Sequence, residues 1–187
     1  MLSIRKFCCD VYSSLDHVCL MCCPPMSSLG SSAVALMVGQ PGFDTGKGAV
    51  YILFLNAQGT IDSYHRISAS ENTNEAFELA SEDHFGSDCE YVPDINLDSR
   101  DDALISAPYT DTEATDAGCI YLVFLDGGAT VLSYLSITGQ EQGFTATIVA
   151  SSLMGWNVAA LQDLDQNGIT DIAISGPGAG SKSHLLK

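Results

Sequence analysis

A repeated apolar stretch decides the fold of this chain. The sequence GAVYILFL at residues 48–55 returns as GCIYLVFL at residues 118–125, 70 residues later. Each copy leads into a second matching stretch, TIDSYHRI at 60–67 and TVLSYLSI at 130–137. Similarity at a fixed spacing is typical of repeat architectures. The sequence therefore predicts a repeat protein with a unit of about 69 residues.

Shorter matches indicate a third copy of the unit. VGQPG at 38–42 recurs as ISAPY at 105–109 and as ISGPG at 174–178, with prolines 67 and then 69 residues apart. FGS at 85–87 is matched more loosely by MGW at 154–156. The chain is thus predicted to contain parts of three units.

Each unit is predicted to form four β-strands. The third strand is apolar almost throughout, as expected for a strand that is covered on both faces. Short glycine-containing turns between the third and fourth strands are typical of hairpins. Residues 70–81 are the one candidate for a helical turn. In the middle unit the strands are predicted at about 85–92, 103–107, 118–125 and 130–137.

Repeated four-stranded sheets predict a β-propeller, in which sheets stack radially as blades. The predicted fold is all-β, an incomplete β-propeller of about two to three four-stranded antiparallel blades over residues 31–187. It comprises a partial blade at 33–67, a full blade at 84–137 and a partial blade at 154–178. A closed propeller needs roughly 4–8 blades, so the sequence predicts a slice of a larger ring.

Residues 1–30 do not follow the repeat and are predicted to be unstructured or wrongly joined to the domain. Five of the seven cysteines lie there, and Cys19-x-x-Cys22 could form half of a zinc site. No second such pair follows, so unpaired cysteines are the favoured interpretation. Asp10 and Asp16 interrupt the apolar run of a signal peptide, which leaves a targeting remnant as an alternative.

The charge balance limits the classes of partner. The 187 residues carry 7 basic and 23 acidic side chains, a formal net charge of −16, and 46% are apolar. This apolar fraction excludes wholesale disorder. The acid excess repels phosphate backbones, so no nucleic-acid partner is expected. No apolar run approaches the roughly 20 residues of a membrane span. Surplus carboxylate is suited to divalent cations.

Two acidic loops, residues 94–102 and 163–171, share one spacing of side-chain oxygens and lie 69 residues apart. Alternate positions of a tightly wound loop point inward, so the side-chain oxygens at positions 1, 3, 5 and 9 can converge on one point. The backbone carbonyl at position 7 can supply a fifth ligand there. Several hard oxygen donors favour Ca²⁺ over zinc or copper. The predicted ligands are Asp94, Asn96, Asp98, Arg100 (carbonyl) and Asp102, and Asp163, Asp165, Asn167, Ile169 (carbonyl) and Asp171.

These loops are not EF-hands. An EF-hand needs a bidentate glutamate at position 12 of the loop, but Ile105 or Ile174 stands there in this sequence. An EF-hand loop is also followed by a helix, whereas a short apolar strand is predicted to follow each of these loops. Acidic surface turns without metal are the alternative, since Asp and Asn favour turns. Two loops in register favour metal binding over that alternative.

The two loops are not expected to bind equally well, and the first unit is expected to bind no ion. Ser99 replaces the glycine at position 6, so residues 94–102 are predicted to be the weaker site. The corresponding stretch of the first unit offers no carboxylate, only Ser27, Leu29 and Ser31.

The combination of Phe85-Gly86, an acidic loop and Ile105-Ser-Ala-Pro108 resembles the FG-GAP repeat of integrin α-subunit β-propellers and of many microbial and protist surface proteins. The resemblance covers about 33–178. It implies that each loop joins the first and second strands of a blade and binds Ca²⁺. Met154 replaces the phenylalanine, and Ser106 and Ser175 replace a usual glycine.

No catalytic motif accompanies the repeat, and the four histidines are scattered, so the chain is not expected to be an enzyme. The resemblance implies an extracellular or cell-surface module for adhesion, with protein or glycan ligands bound by the propeller loops. An accessory propeller of a larger secreted or surface enzyme is one alternative. A gene fragment without a function of its own is another.

Overall fold

The computed structural model describes residues 19–20, 34–69, 71, 77–139, 144, 148–178 and 184–186. These residues form three antiparallel sheets, two with four strands and one with three. The predicted all-β class and the incomplete propeller of four-stranded blades are confirmed. The remaining residues, including the predicted stretch 27–31 of the first unit, lie outside the described part of the chain.

Sheet 1 follows the first predicted blade. Its strands lie in the order β1 (Cys19–Leu20), β2 (Val34–Gln40), β3 (Ala49–Leu55) and β4 (Ile61–Ser68). β1 pairs with the end of β2, with Leu20 opposite Val38. These two residues of the N-terminal segment 1–30 therefore form a strand of sheet 1.

Sheet 2 is the full blade. Its order is β5 (Cys89–Val92), β6 (Asp102–Ala107), β7 (Cys119–Leu125) and β8 (Val131–Ile137). The first strand is shorter than predicted. Phe85 makes a parallel bridge to Gly48 of sheet 1, and only single hydrogen bonds, such as that from the Gly86 N–H to the Ser106 carbonyl at 2.8 Å, join the chain before β5 to β6. The other three strands lie within about one residue of their predicted limits.

Sheet 3 is the third blade, with the order β9 (Asn157–Ala160), β10 (Ile172–Ser175) and β11 (His184–Leu186). The first two strands fall inside the predicted partial blade 154–178. β11 was not predicted, and it pairs with β10 as β7 pairs with β6.

The helical turn predicted for residues 70–81 is not found among its described residues, 71 and 77–81. Phe77 and Leu79 are instead buried in the core without regular structure. The one helix in the described ranges is the four-residue α1 (Phe43–Gly46), in which Asp44 and Thr45 have left-handed backbone angles. It is a tight turn between β2 and β3.

The three sheets stack face to face. We call the side of a sheet that is turned toward the preceding sheet its front face, and the opposite side its back face. The front face of sheet 2 forms one buried cluster with sheet 1, in which Phe85 packs between Phe77 and Tyr121 at ring distances of 5.1 and 5.4 Å. The back face of sheet 2 packs on Met154 and Ile174 of sheet 3.

The two junctions between sheets are built in the same way. A parallel bridge joins Gly48 to Phe85 at the first junction and Gly118 to Met154 at the second. The Phe85 N–H donates to the Lys47 carbonyl at 3.1 Å, and the Met154 N–H donates to the Ala117 carbonyl at 3.0 Å. The sequence repeat is therefore accompanied by a repeated backbone contact between neighbouring sheets.

A buried carboxylate reinforces the second junction. Asp88 lies at the start of sheet 2, and its Oδ2 accepts a hydrogen bond from the Val158 N–H of sheet 3 at 2.8 Å. Its Oδ1 accepts from the Cys89 N–H at 2.9 Å. The equivalent residue of sheet 3 is Asn157, whose N–H bonds to the Ser175 hydroxyl as the Asp88 N–H bonds to Ser106.

Candidate metal centre

Each acidic loop connects the first and second strands of its sheet. The first acidic loop, residues 94–102, runs from β5 to β6, and the second, residues 163–171, runs from β9 to β10. Both bring their side-chain oxygens back onto the loop backbone. The carboxylate at position 1 accepts hydrogen bonds from the N–H groups of positions 5 and 6, and the carboxylate at position 9 accepts from position 2.

The second acidic loop is held by short hydrogen bonds. The two oxygens of Asp163 accept from the Asn167 N–H at 3.0 Å and the Gly168 N–H at 2.8 Å. Asp171 Oδ2 accepts from Leu164 N–H at 2.7 Å. In addition, the side-chain oxygen of Asn167 (position 5) accepts from the Ile169 N–H at 2.7 Å, and Asp165 Oδ1 (position 3) accepts from the Asn167 N–H at 3.2 Å. Every predicted side-chain ligand of this loop thus points inward.

The first acidic loop makes the same five bonds. Asp94 accepts from the Asp98 N–H at 2.8 Å and the Ser99 N–H at 2.7 Å. Asp102 Oδ2 accepts from the Ile95 N–H at 3.2 Å. The Asp98 N–H also donates to the side-chain oxygen of Asn96 (position 3) at 3.0 Å, and Asp98 Oδ1 accepts from the Arg100 N–H (position 7) at 3.0 Å. Identical bonding in two loops of different sequence shows that the spacing of the polar residues determines the shape.

In the second loop three carboxylates converge. Oxygens of Asp163, Asp165 and Asp171 lie within 4.8 Å of one another, and this is the one such group of acidic, cysteine or histidine side chains among the described residues. Asp171 is buried, and its Oδ1 has no hydrogen-bond partner. A buried, unsatisfied anionic oxygen is costly, and a cation would offset that cost. The donor set is all oxygen, which fits Ca²⁺.

The first loop differs in ways that reduce the demand for a cation. Asp102 Oδ1 accepts a hydrogen bond from the Leu125 N–H of β7 at 3.3 Å, so both of its oxygens are satisfied. The Arg100 guanidinium lies 3.9 Å from Asp98 Oδ2. Asn96 donates its amide to the same carboxylate at 3.3 Å. The predicted ligands are therefore near one another, but part of their charge is already compensated within the protein.

Sequence reasoning missed that position 9 ties the first loop to the third strand. Asp102 was predicted only as a ligand, yet it also bridges the loop to β7 through Leu125. The sequence carries one signal for this, because a short apolar strand directly follows the aspartate at position 9 in both loops. Its partner on β7 could be found only from the pairing of the strands.

Position 6 of each loop adopts a left-handed backbone. The φ angle is 69° at Ser99 and 91° at Gly168. Glycine adopts this conformation without steric cost, whereas other residues do not. This geometry is the physical basis for expecting the first loop to be the weaker site.

Replacing Ser99 by glycine should stabilise the protein by about 0.5–1 kcal/mol, because the left-handed strain is relieved at some cost in chain entropy. The reciprocal variant Gly168→Ala should destabilise by about 1–2 kcal/mol. No atom lies within 4 Å of the added methyl group, so strain alone is measured. Chemical denaturation of both variants tests the pair. Equal effects of the same sign would contradict this account.

Burial raises the pKa of Asp102 to about 6, from an ordinary value of 3.8. The folded state therefore holds this proton more tightly than the unfolded state does, and ionisation of Asp102 lowers stability. In calcium-free buffer the contribution of Asp102 to the free energy of unfolding should therefore fall as the pH rises from 3.8 through about 6. Thermal melts of the wild type and Asp102→Asn across that window measure the difference. A constant difference between them would contradict the prediction.

A scan against protein-family models finds no match for this chain, and a search of curated proteins finds no significantly similar sequence. No helix in the described residues is long and apolar enough to cross a membrane.

Proposed function

We propose that the chain is a calcium-binding repeat module of the FG-GAP type, which serves adhesion or ligand recognition outside the cell. The observation that carries this proposal is the convergence of Asp163, Asp165 and Asp171 around a buried oxygen without a partner. The equivalent loop of sheet 2, with the same hydrogen bonds, supports it further.

The second acidic loop is the stronger of the two proposed sites. Asp163, Asp165 and Asp171 would supply carboxylate oxygens, with the Asn167 side chain and the Ile169 carbonyl completing the protein donors. A bound Ca²⁺ would supply positive charge that holds these groups together. The loop residues fix the spacing, and β9 and β10 hold its two ends.

The role of the ion in this proposal is structural. Three carboxylates in one short loop repel one another, and the repulsion acts on the ends of β9 and β10. Neutralising it would align the first two strands of the blade. Protein or glycan ligands are proposed to bind loops at an end of the propeller, on the framework that the ion stabilises.

Titration of the full chain with Ca²⁺ should detect two sites, the tighter one in residues 163–171, with a dissociation constant of about 10⁻⁴–10⁻³ M, as for extracellular modules. Asp165→Asn should weaken the tighter site at least tenfold and reduce the increase in melting temperature that Ca²⁺ gives to the part that the site in residues 94–102 supplies. Isothermal titration and thermal melts measure both effects.

Asp62→Asn is the matched control, because it removes the same charge from an exposed position on β4. It should leave both sites unchanged. The absence of saturable Ca²⁺ uptake by the wild type at millimolar concentration would refute the proposal, as would an equal loss in the control variant.

A further inference from the structure

Asn167, in the second acidic loop, is the one asparagine of this chain that precedes a glycine. The other asparagines precede alanine, threonine, glutamate, leucine or valine. Glycine has no side chain to oppose the approach of its backbone nitrogen to the preceding amide group. Asn167 is exposed, and no atom lies within 4 Å of the position that a Cβ on Gly168 would take. No neighbouring group therefore crowds Gly168 on this side.

We propose that Asn167 is a site of spontaneous deamidation, with the backbone nitrogen of Gly168 as the nucleophile. This nitrogen forms a bond to the side-chain amide carbon of Asn167. The side-chain nitrogen takes up the Gly168 amide proton and leaves as ammonia, and a succinimide ring remains. Water then cleaves the bond between the ring nitrogen and one of the two ring carbonyl carbons. Cleavage at the side-chain carbonyl gives aspartate, and cleavage at the main-chain carbonyl gives isoaspartate.

Two hydrogen bonds of the folded loop restrain the first step. The Gly168 N–H donates to Asp163 Oδ2 at 2.8 Å, and this charge-assisted bond keeps the proton on the nucleophile. The Asn167 Oδ1 accepts from the Ile169 N–H at 2.7 Å, which fixes the orientation of the side-chain amide. Because attack requires the nitrogen to lose its proton and the amide to turn, the reaction proceeds from opened forms of the loop.

Calcium enters this proposal through the same two side chains. Asp163 and Asn167 are both ligands in the proposed calcium site, so the calcium-dependent part of the inference rests on the proposed function. Ligation of Ca²⁺ by these side chains would keep the loop closed and slow the deamidation.

The first acidic loop contains a matched asparagine that should react slowly. Asn96 is also exposed, and its Oδ1 accepts from the Asp98 N–H at 3.0 Å, which is the same bond that Asn167 makes to the residue two positions later. The residue after Asn96 is Leu97, whose side chain opposes ring closure. A comparison of Asn167 with Asn96 therefore isolates the effect of the glycine.

The two products should act on the loop in opposite ways. The first acidic loop already has aspartate at position 5, where Asp98 Oδ1 accepts the Arg100 N–H at 3.0 Å. An aspartyl product at residue 167 therefore keeps the bonds of the loop and adds a carboxylate to the proposed ligands. An isoaspartyl product lengthens the backbone between residues 167 and 168, which displaces the Gly168 N–H from Asp163. Accumulation of isoaspartate thus removes the site in older molecules.

Incubation of the full chain in calcium-free buffer, followed by digestion and peptide mass spectrometry, measures the reaction at each asparagine. Asn167 should lose its amide at least about tenfold faster than Asn96. The rate should rise with pH, because the nucleophile is the deprotonated backbone amide. Methylation by an isoaspartyl methyltransferase should detect the isoaspartyl product in the same samples. Gly168→Ala should slow the reaction about tenfold, since the added methyl group opposes ring closure.

Asp163→Ala tests the restraint imposed by the loop. It removes the acceptor of the Gly168 N–H and should speed the loss of the Asn167 amide several-fold, while Asn96 in the other loop keeps its wild-type rate. Asp62→Ala is the matched control, because it removes a carboxylate from an exposed position on β4. It should leave both rates unchanged. Circular dichroism checks that the strands are retained, and an unchanged rate at Asn96 shows that the chain has not opened as a whole.

Equal rates at Asn167 and Asn96 in the wild type would overturn the proposal, as would an Asp163→Ala variant that reacts no faster than the wild type. Added Ca²⁺ should slow the reaction at Asn167 several-fold. Deamidation that proceeds in calcium-free buffer but is not slowed by Ca²⁺ would count against the calcium site and leave the deamidation site standing. Saturable Ca²⁺ uptake by a chain whose Asn167 amide persists on ageing would do the reverse.

Discussion

Replacing Gly48 by alanine should destabilise the protein by about 3 kcal/mol or more. Gly48 has a φ of 92°, and an added Cβ would overlap the carbonyl oxygen of Phe85, with which it forms the bridge between sheets 1 and 2. The left-handed backbone costs about 1–2 kcal/mol for alanine, and the steric overlap adds about 1–3 kcal/mol. Gly118→Ala should have the same effect, because its Cβ would overlap the Met154 carbonyl. Chemical denaturation measures both.

Gly59→Ala separates the two causes. Gly59 has a φ of 77° in the turn before β4, and no atom lies within 4 Å of a Cβ placed there. It should therefore show only the backbone cost of about 1–2 kcal/mol. If Gly59→Ala were as destabilising as Gly48→Ala, the steric overlap at the junction of sheets 1 and 2 would contribute nothing to the loss of stability.

The second large effect is expected at Phe85, whose ring fills the space between sheets 1 and 2. Phe85 is fully buried and contacts the rings of Phe77 and Tyr121. Phe85→Ala should cost about 3–5 kcal/mol, because it removes buried apolar surface and leaves a cavity. The loss should also reduce cooperativity, since the ring lies at the junction of the sheets. Urea denaturation gives both the free energy of unfolding and the slope.

The third unit provides the control for this variant. Met154 occupies the equivalent position and is also buried, so the repeat itself uses methionine there. Phe85→Met should cost less than about 1.5 kcal/mol, because volume and apolar character are largely kept. A similar cost for methionine and alanine would show that the ring contacts, and not the filled volume, determine stability.

Most of the fold could be predicted from the sequence because most of the strands occur in the sequence in at least two copies. The apolar run 118–125 and its copy at 48–55 predict β7 and β3 almost to the residue. The prediction was less accurate where a segment pairs outside its own unit. The chain at Phe85 bridges to Gly48 of the preceding sheet, and β5 begins four residues later than predicted.

Two strands were not predicted because they do not follow the repeat. β1 is only two residues long and lies in a segment whose cysteines and acidic residues show no alternation. β11 lies just before the position where the spacing would place a third strand. Their pairing is decided by the exposed edges of β2 and β10, which a sequence pattern does not show.

The acidic loops were predicted more fully than their surroundings. The spacing of oxygen side chains at alternate positions fixes the turn, and the hydrogen bonds to Asp94 and Asp163 follow from it. The second bond of Asp102, to Leu125, depends on tertiary pairing. Ligation of Ca²⁺ by either loop remains a prediction.

The repeated junction has a consequence for how the chain loses structure. Among the described residues, one buried cluster joins sheet 1 to sheet 2 and a second joins sheet 2 to sheet 3. The energetics of these sheets therefore approach those of a one-dimensional array, in which outer elements fray before central ones. Sheet 2, flanked on both sides, should hold the slowest-exchanging amides, and partially opened forms should lack sheet 1 or sheet 3 but seldom sheet 2 alone.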